Sequence, residues 1–473
     1  MSVVVVGGGV TGLTAAYKLA RGGAGPVTLL EARARVGGNI QTERRDGFVI
    51  DGGPDSFVVT RPQAAALCKE LGLEADLIPT TPKNRKVYIA RGGDLLTLPD
   101  GLMLGVPTRF LPMVTTRVFS WAGKVRMGLE PLMPKAERGA DESIARFMRR
   151  RLGREALERI AEPLLGGIYA GDVESISMRA SFPQLVDMED KHGSLIKGAL
   201  VERRARAATA TLKDRGAAPS PFLSLSGGMG QLIDALAAAF VEAGGMVRTG
   251  ARVEAITTAG SGVGGFSVRV RDAAGEASTL EADHVVVAAP AHAASSALAD
   301  LDAELAERLA TVPYLSTGTV VLAYARVDVP HALDAVGVVI PRSEKRRALA
   351  ATFISSKWAA RCPDDMVLLR VFVGGHRDPR ALSLSDDELV ALARDELAAL
   401  VGVRARPAMS RVFRFERGNP QPVVGHGARV ARMRALAARH PGLWLAGAAF
   451  DGVGIPDCVR QANEVAAKIL AAR

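Results

Sequence analysis

A glycine-rich turn close to the start of the chain constrains the fold more than any other feature. Val3 to Val6 form a short apolar run that predicts a strand, and Leu13 to Leu19 carry apolar residues at helical spacing. Between them, Gly7 permits a tight turn, Gly9 lets a pyrophosphate approach the backbone, and Gly12 lets the helix pack closely on the strand. This order predicts a strand, turn and helix that bind a dinucleotide at the helix N-terminus.

The next stretch supports the same interpretation. Val27 to Leu30 predict a second strand, and Glu31 ends it about 20 residues past the glycines, where a carboxylate accepts hydrogen bonds from a ribose. Glu31 therefore argues against a 2′-phosphate. Arg35, Gly37 and Gly38 add a second turn of close backbone approach with a cation beside it. The alternative is a glycine-rich turn in a fold that binds no cofactor.

Length, cysteine content and charge bound the class of protein. A chain of 473 residues can hold two or three cores, at about 100 to 200 residues per domain. Its three cysteines are scattered, which suggests a reducing compartment. We expect a cytoplasmic protein, because the chain opens on its first strand and has no run of about 18 apolar residues. The net charge of +10 favours anionic partners, although a solvated basic face explains it as well.

The end of the chain repeats the pattern of its start. Leu443 to Ala446 predict a strand, Gly447 to Gly454 a glycine-rich turn, and a helix from Asp457 onward can point its positive end at one edge of a cofactor. Two such turns predict one nucleotide cofactor held by both termini. Gly227 to Gly230 lack the spacing and the downstream acid of a second site, so NAD(P)H is not the expected redox partner.

The succession of patterns predicts an α/β fold. We expect a Rossmann-like dinucleotide-binding domain built from discontinuous segments, a mixed-sheet substrate domain and an inserted helical domain. The predicted segments are 1-80 (dinucleotide-binding domain), 81-100 (substrate-domain hairpin), 101-215 (helical insertion), 222-300 (dinucleotide-binding domain), 301-410 (substrate-binding domain) and 411-473 (dinucleotide-binding domain).

The insertion has two unusual stretches. Between Gly101 and Pro134, apolar and basic residues alternate and no acidic residue precedes Glu130. This is typical of a segment at a membrane interface, but a helical subdomain with basic edges fits equally. Leu164 to Asp172 predict a glycine-broken loop too apolar for an ordinary surface connection. The basic run 197-215 predicts a solvated helix in preference to a nucleic-acid site.

Several stretches together resemble the FAD-dependent porphyrinogen oxidases of haem biosynthesis, within the wider amine oxidase superfamily. They are GGGVTGL, EARARVGGNI, GFVIDGGPDSF, PLLGGIYAGD, FPQL, KHGSLIKG and GVGIPDCV. The resemblance covers essentially the whole chain. It implies an enzyme that oxidises protoporphyrinogen IX or coproporphyrinogen III to the porphyrin and reduces O2 to H2O2. The forms GIYAGD, KHGSLIKG and GVGIPDC are more similar to the Gram-positive-type branch, whose preferred substrate is coproporphyrinogen III.

The resemblance also implies which residues hold the cofactor. With Arg35, Gly37 and Gly38 of the second turn, the candidate FAD-binding residues are Gly7, Gly8, Gly9, Val10, Thr11, Gly12, Glu31, Ala32, Arg35, Gly37, Gly38, Asn39, Gly53, Pro54, Asp55, Ser56, Val253, Phe415, Val453, Gly454 and Ile455. Phe415 stands where many members have Trp or Tyr, and PQP at 420–422 replaces their PQY.

Four residues are candidates for substrate binding through the resemblance. Gly167 matches a glycine whose carbonyl faces the tetrapyrrole, and Val339 an apolar residue opposite an aromatic that stacks on a pyrrole. Trp358 matches that aromatic, with a core position as the alternative. Arg85 matches a propionate partner, with a surface charge as the alternative. No acid, base or metal is expected, because the flavin carries the chemistry.

The predicted partners are a porphyrinogen and molecular oxygen, without nucleic acid. A peripheral membrane contact, a transient contact with the next enzyme of the haem pathway and the choice between monomer and homodimer are left open. Two other function classes are compatible with parts of the sequence. One is another flavin oxidase that acts on amines or carotenoids, and the other is a non-catalytic flavoprotein docked on a membrane.

Overall fold

The structure of the chain is a computed structural model, which describes residues 1–137, 139–209, 220–260 and 265–472. The strands are β1 (Val3–Val6), β2 (Val27–Leu30), β3 (Thr42–Arg45), β4 (Phe48–Asp51), β5 (Phe57–Val58), β6 (Leu77–Pro79), β7 (Val87–Arg91), β8 (Asp94–Thr97), β9 (Leu102–Met103), β10 (Val106–Pro107), β11 (Phe222–Leu225), β12 (Met246–Arg248), β13 (Arg252–Thr258), β14 (Phe266–Arg271), β15 (Ala277–Ala282), β16 (His284–Val287), β17 (Tyr314–Ala325), β18 (Gly337–Val339), β19 (Ala350–Phe353), β20 (Met366–Gly374), β21 (Met409–Pro420) and β22 (Leu443–Leu445).

The α-helices alternate with these strands. They are α1 (Val10–Arg21), α2 (Gln63–Glu70), α3 (Phe110–Thr115), α4 (Trp121–Gly128), α5 (Ile144–Leu152), α6 (Arg154–Ala156), α7 (Gly167–Tyr169), α8 (Met178–Ser181), α9 (Pro183–His192), α10 (Leu195–Thr209), α11 (Gly230–Glu242), α12 (Ala291–Leu298), α13 (Ala303–Ala310), α14 (Ile354–Lys357), α15 (Asp386–Val401), α16 (His426–Ala437) and α17 (Ile455–Ala471). A π-helix, Leu157–Gly166, lies between α6 and α7.

A parallel sheet in the order β12-β2-β1-β16-β22 brings distant parts of the chain together. Val5 of β1 lies opposite Leu29 on one side and Val286 on the other. Residues of α1, α11 and α17 pack on one face of the sheet, and residues of α12, α13 and α16 pack on the other. Because both faces are covered, the central strand β1 is apolar throughout, and its neighbours β2 and β16 have only one polar residue each.

A second, mixed sheet has the order β21-β17-β20-β19-β18-β7-β8. Only β18 and β7 are parallel among its described pairs, and the others are antiparallel. Helix α15 covers one face and begins with a capping box at Ser385 and Glu388. The opposite face receives Phe48 and Ile50 of β4, so the hairpin β3-β4 joins the two sheets.

One row of paired residues crosses that second face. Register places Val339, Ala350, Phe372, Thr319 and Phe413 opposite one another from β18 to β21. Paired residues of adjacent strands point to the same face, so these side chains form a continuous stripe. We call this set the sheet row.

The inserted helices have their own apolar core and a buried ionic cluster. Arg151 and Glu130 form an ion pair in which both side chains are fully buried. The carboxylate of Glu130 also accepts hydrogen bonds from the hydroxyl of Ser194 and from the backbone N–H of Leu195 at 2.9 Å. The cluster therefore joins α5 to the start of α10. The predicted end of the insertion at 215 lies outside the described residues.

The loop predicted at Leu164 to Asp172 is wrong in its first part. The π-helix runs to Gly166, and α7 continues to Tyr169 before the chain turns at Ala170, which has φ +48°. Pro163 lies inside the π-helix and has no N–H to donate to an earlier carbonyl. This explains a widened helix at a position where the glycines suggested a loop.

Among the described residues, no helix is both long enough and apolar enough to span a bilayer.

We expect the buried ion pair to dominate the stability of the insertion. Glu130→Ala would leave the buried Arg151 guanidinium with only its longer contact to Glu189, at 3.3 Å, which costs about 3 kcal/mol. The measurement is urea unfolding followed by far-ultraviolet circular dichroism, which reports the helices of this domain. Glu74→Ala breaks an exposed pair with Lys69 and is the matched control. Equal midpoints for the two variants would contradict the expectation.

Candidate cofactor and substrate site

The opening glycines form a turn that leaves space over the N-terminus of α1. A Cβ on Gly12 would lie 1.8 Å from the carbonyl oxygen of Gly7, and Gly7 itself has φ +104°. Side chains are therefore excluded at both positions. Gly9 is the N-cap residue of α1, no side chain caps it, and a Cβ there would meet nothing within 4 Å. Free backbone N–H groups thus face an open space, as a pyrophosphate site requires.

Glu31 is fixed beside this turn. Its Oε2 accepts a hydrogen bond from the backbone N–H of Gly8 at 2.7 Å, and its Oε1 accepts one from Arg33 at 2.8 Å. The backbone N–H of Ala251 donates to the Glu31 carbonyl at 2.9 Å, which brings the start of β13, and with it Val253, to the same corner. Ala32 is exposed there. An open helix terminus flanked by a fixed carboxylate fits the phosphate and ribose of a dinucleotide.

Arg35 has a different role from that of a cation facing the cofactor. Its guanidinium donates to the carbonyl oxygens of Val36, Gly38 and Ile40 at 3.0, 2.8 and 3.2 Å. Burial, followed by the neighbouring charge of Arg33, lowers the pKa of Arg35. The side chain therefore stabilises the turn that contains Gly37, which lies beside Gly9 through an isolated β-bridge.

The predicted segment Gly53 to Ser56 rests on a buried ionic cluster. Arg370 donates from Nη1 to the carbonyls of Asp51 and Gly53, both at 2.8 Å, and from Nη2 to Oδ2 of Asp55 at 2.8 Å. Lys357 Nζ lies 3.0 Å from Oδ1 of Asp55. Two cations and one carboxylate thus fix the backbone of this segment. We call Asp55, Lys357 and Arg370 the Asp55 cluster.

The charge state of Asp55 follows from these neighbours. Burial raises the pKa of Asp55, but the charges of Lys357 and Arg370 outweigh burial and hold the pKa well below its usual range. Asp55 is therefore ionised at every pH at which the protein would be assayed.

Three predicted cofactor segments meet at this point. The side-chain amide of Asn39 donates to the carbonyl of Gly418 at 3.0 Å. A Cβ on Gly53 would lie 1.9 Å from the Asn39 carbonyl and 3.5 Å from the ring of Phe415. Thr319 of the sheet row donates to the Gly52 carbonyl at 2.7 Å. The cofactor segment therefore lies directly on one end of the sheet row.

The C-terminal turn meets the same region from the other side. Helix α17 begins at Ile455 with Gly454 as its N-cap, two residues before the predicted Asp457. Asp457 pairs with Arg61 beside α2. Val453 and Tyr169 line a small cavity, and Val453 also packs against the core of the inserted helices. The turn is thus positioned between the parallel sheet and the insertion.

A larger cavity opens beside Gly167. It spans about 440 Å³, including its opening to solvent, and is lined by Glu162, Pro163, Gly166, Gly167, Ala170, Gly171, Asp172, Val173, Arg342, Leu349, His376 and Arg377. A Cβ on Gly167 would meet nothing within 4 Å, and the neighbouring Ile168 is 57% exposed. Val339 is partly buried and packs against the insertion at the other end of the sheet row. Arg85 lies in the turn just before β7.

Trp358 does not lie in either cavity, which corrects the stacking prediction. Its ring is fully buried with Phe48, Ile50 and Leu368, and its Nε1 donates to Oδ2 of Asp55 at 3.4 Å. The short helix α14 turns the side chain inward, so neither face of the ring is open to a substrate. Trp358 instead covers the Asp55 cluster.

Sequence reasoning missed Arg370 and Phe372. Both lie on β20, and the guanidinium of Arg370 is 4.7 Å from the centre of the Phe372 ring. Phe372 is only partly buried, although its strand has a neighbour on each side. The available signal was a lone arginine within the apolar run of β20, because a charge inside a central strand needs a specific partner.

The sequence matches the family of flavin containing amine oxidoreductases over residues 10–470. The chain belongs to this family. It is 35% identical to the coproporphyrinogen III oxidase of Bacillus subtilis over 97% of this chain and 96% of that protein. It is 29% identical to the chloroplastic protoporphyrinogen oxidase of Nicotiana tabacum, over 99% of this chain and 85% of that protein.

A solved structure extends the comparison to the fold. A candidate protoporphyrinogen oxidase from Exiguobacterium superposes with a TM-score of 0.84 at 31% identity, over 100% of this chain and 99% of that one. The predicted α/β fold of a flavin oxidoreductase and the FAD cofactor are thereby confirmed. The individual cofactor and substrate contacts stay predictions.

The Asp55 cluster should control flavin retention. Asp55→Asn removes the only carboxylate that Lys357 and Arg370 share within the described residues, so we expect a reduced ratio of bound FAD to protein. The ratio is read from flavin and protein absorbance after gel filtration, with the exposed Asp364→Asn as control.

The pH dependence of the free energy of unfolding provides a second measurement for this variant. A carboxyl whose pKa is lowered on folding contributes stability above its unfolded pKa of about 3.9 and loses it only as pH falls through the lower folded value. The difference in the free energy of unfolding between wild type and Asp55→Asn should therefore persist from about pH 8 to about pH 5. A variant that keeps its FAD, or a difference that disappears toward pH 5, would contradict the assignment.

Proposed function

We propose that the protein is an FAD-dependent, oxygen-dependent porphyrinogen oxidase of haem biosynthesis, with coproporphyrinogen III or protoporphyrinogen IX as substrate. The observation that carries the proposal is the relationship to the Bacillus subtilis coproporphyrinogen III oxidase over nearly the full length of both chains. No large segment of that relative is missing here, so a site assembled from distant segments can be preserved.

The arrangement of the sheet row supports this function. Gly52 lies against its Thr319 and Phe413 end, and the inserted helices pack against its Val339 end. A ligand between them would lie on Ala350 and on the half-buried ring of Phe372, in reach of both the cofactor segment and Gly167. An apolar surface with one accessible aromatic ring suits a flat, largely apolar macrocycle.

The chemistry requires little of the protein beyond binding. FAD supplies a hydride acceptor that O2 reoxidises with formation of H2O2. The porphyrinogen loses six electrons and six hydrogens overall, as three hydrides and three protons. The four meso carbons give up four of these hydrogens and the pyrrole nitrogens give up two. The residues that line the site therefore increase the rate by orienting the macrocycle and excluding water.

Anaerobic mixing with substrate is the direct test. Holoenzyme mixed with coproporphyrinogen III or protoporphyrinogen IX should lose its flavin absorbance near 450 nm, because electrons pass to FAD and no O2 is present to remove them. Putrescine serves as the control substrate for an amine oxidase. Bleaching with putrescine alone would favour that class, and absence of bleaching with all three would contradict an oxidase function.

We also propose that the insertion makes a peripheral contact with membranes. Phe110, Leu111, Trp121 and Leu132 are 84%, 70%, 68% and 75% exposed. Lys124 lies with its Nζ 4.5 Å from the centre of the Trp121 ring. Exposed aromatic and aliphatic side chains beside lysine and arginine suit the headgroup region of an anionic bilayer. We call Phe110, Leu111, Trp121 and Leu132 the apolar patch.

Vesicle flotation tests the membrane contact. Wild type should float with vesicles that contain anionic lipid and detach at high salt, because basic residues contribute to the attraction. Phe110→Ser combined with Trp121→Ser should reduce the bound fraction several-fold. Val327→Ser removes a side chain that is 92% exposed outside the patch and should have no effect. Equal binding of the two variants would exclude the apolar patch as the contact.

A further inference from the structure

The cavity beside Gly167 has two walls of different origin. The π-helix and the turn at Gly171 and Asp172 form one wall, and the loops that follow β18 and β20 form the other. Arg342 belongs to the 3-10 turn after β18, and His376 follows the end of β20. The cavity therefore opens where the sheet meets the insertion.

Two charged side chains at this opening, Glu162 and Arg377, already bind other parts of the chain. Glu162 accepts from the backbone N–H of Arg342 at 3.0 Å, and its other oxygen lies 3.1 Å from Nη2 of Arg377. Arg377 also donates to the carbonyls of Ile340 and Ala348 at 2.7 and 2.8 Å. These bonds compensate both charges and hold the wall of the cavity in place.

Two other side chains at the opening are available to a ligand. The guanidinium of Arg342 is exposed and has neither an ion pair nor a hydrogen bond with any part of the chain that the structure describes. His376 is 41% exposed, and its Nε2 lies 3.8 Å from Oδ2 of Asp172, which is too far for a hydrogen bond. An imidazole and an uncompensated guanidinium at one opening form a site for carboxylates.

Strand register relates this opening to Arg85. β7 and β18 are parallel, with Val87 opposite Gly337 and Ile89 opposite Val339. Arg85 precedes β7 and Arg342 follows β18, so the two arginines lie at opposite ends of the same strand pair. Their separation along the strands is about 20 Å, at about 3.3 Å per residue. The sheet row begins between them at Val339.

We propose that Arg342 and His376 form a second carboxylate subsite, which binds propionates on the edge of the macrocycle opposite the edge at Arg85. The inference rests on the proposed porphyrinogen oxidase function. It identifies Arg342 and His376 as the residues that select between the two substrates. Both candidate substrates carry propionates on two adjacent pyrroles. Coproporphyrinogen III carries two more on the other pyrroles, where protoporphyrinogen IX has vinyl groups. The subsite therefore favours coproporphyrinogen III.

Substitutions that remove these side chains test the subsite. Arg342→Gln should raise KM for coproporphyrinogen III about tenfold, which corresponds to one charge-assisted hydrogen bond, and leave KM for protoporphyrinogen IX nearly unchanged. His376→Gln should act in the same direction with a smaller effect. Lys345→Gln is the matched control, because it removes an exposed cation next to the same turn and outside the cavity.

Binding of the oxidised products gives a readout that does not depend on turnover. The holoenzyme is titrated with coproporphyrin III and with protoporphyrin IX, and porphyrin fluorescence reports Kd for each. We expect Arg342→Gln to weaken only the binding of coproporphyrin III, by a factor similar to the change in KM. The flavin content of each variant is measured alongside, so that loss of FAD is recognised separately.

The outcomes distinguish failure of the subsite from failure of the proposed function. If wild type bleaches with neither porphyrinogen, the proposed function fails. If wild type bleaches with both and Arg342→Gln affects both substrates equally, or behaves as Lys345→Gln does, the function stands and the subsite is overturned. A selective loss of affinity for the tetracarboxylate in both kinetics and product binding supports the subsite.

Discussion

The architecture depends on the buried contact between Asp55 and the cations of the mixed sheet. Arg370 belongs to β20 of that sheet and Lys357 ends α14, which follows β19, whereas Asp55 lies between β4 and β5. A carboxylate and two cations buried together are stable only when each finds its partner in a defined geometry. The contact therefore fixes the segment between β4 and β5 on the mixed sheet and, through the hydrogen bonds of Arg370, the backbone at Gly53.

This constraint also explains how an enclosed site arises from separate units. The cofactor segment covers one end of the sheet row and the insertion covers the other, which leaves Ala350 and Phe372 between them. The insertion is held as a unit by the ion pair of Arg151 with Glu130 and presents Gly167 to the cavity that opens between the π-helix and the loops after β18 and β20. Binding surfaces thus come from rigid elements, which suits a reaction in which the cofactor carries the chemistry.

Sequence reasoning succeeded where a property is local. The spacing of Gly7, Gly9 and Gly12 and the position of Glu31 report a turn whose geometry is set within a few residues, and the structure has that turn. It failed where a side chain has two compatible environments. Trp358 can stack on a ligand or fill a core, and only the direction of α14 decides between them. Pro163 likewise widened a helix at a place where the following glycines suggested a loop.

The sequence by itself determined the class of fold and the opening glycine turn, because glycine turns and apolar periodicity act through local sterics, and its resemblance to a known family indicated the cofactor. Tertiary structure alone decided which distant residues meet around Asp55 and around the cavity beside Gly167. The partners of Asp55 lie about 300 residues away along the chain, at separations of 302 for Lys357 and 315 for Arg370. Arg85 and Arg342 become opposite ends of one strand pair only through register. Pairing between distant strands depends on the packing of the whole chain, and no local pattern encodes it.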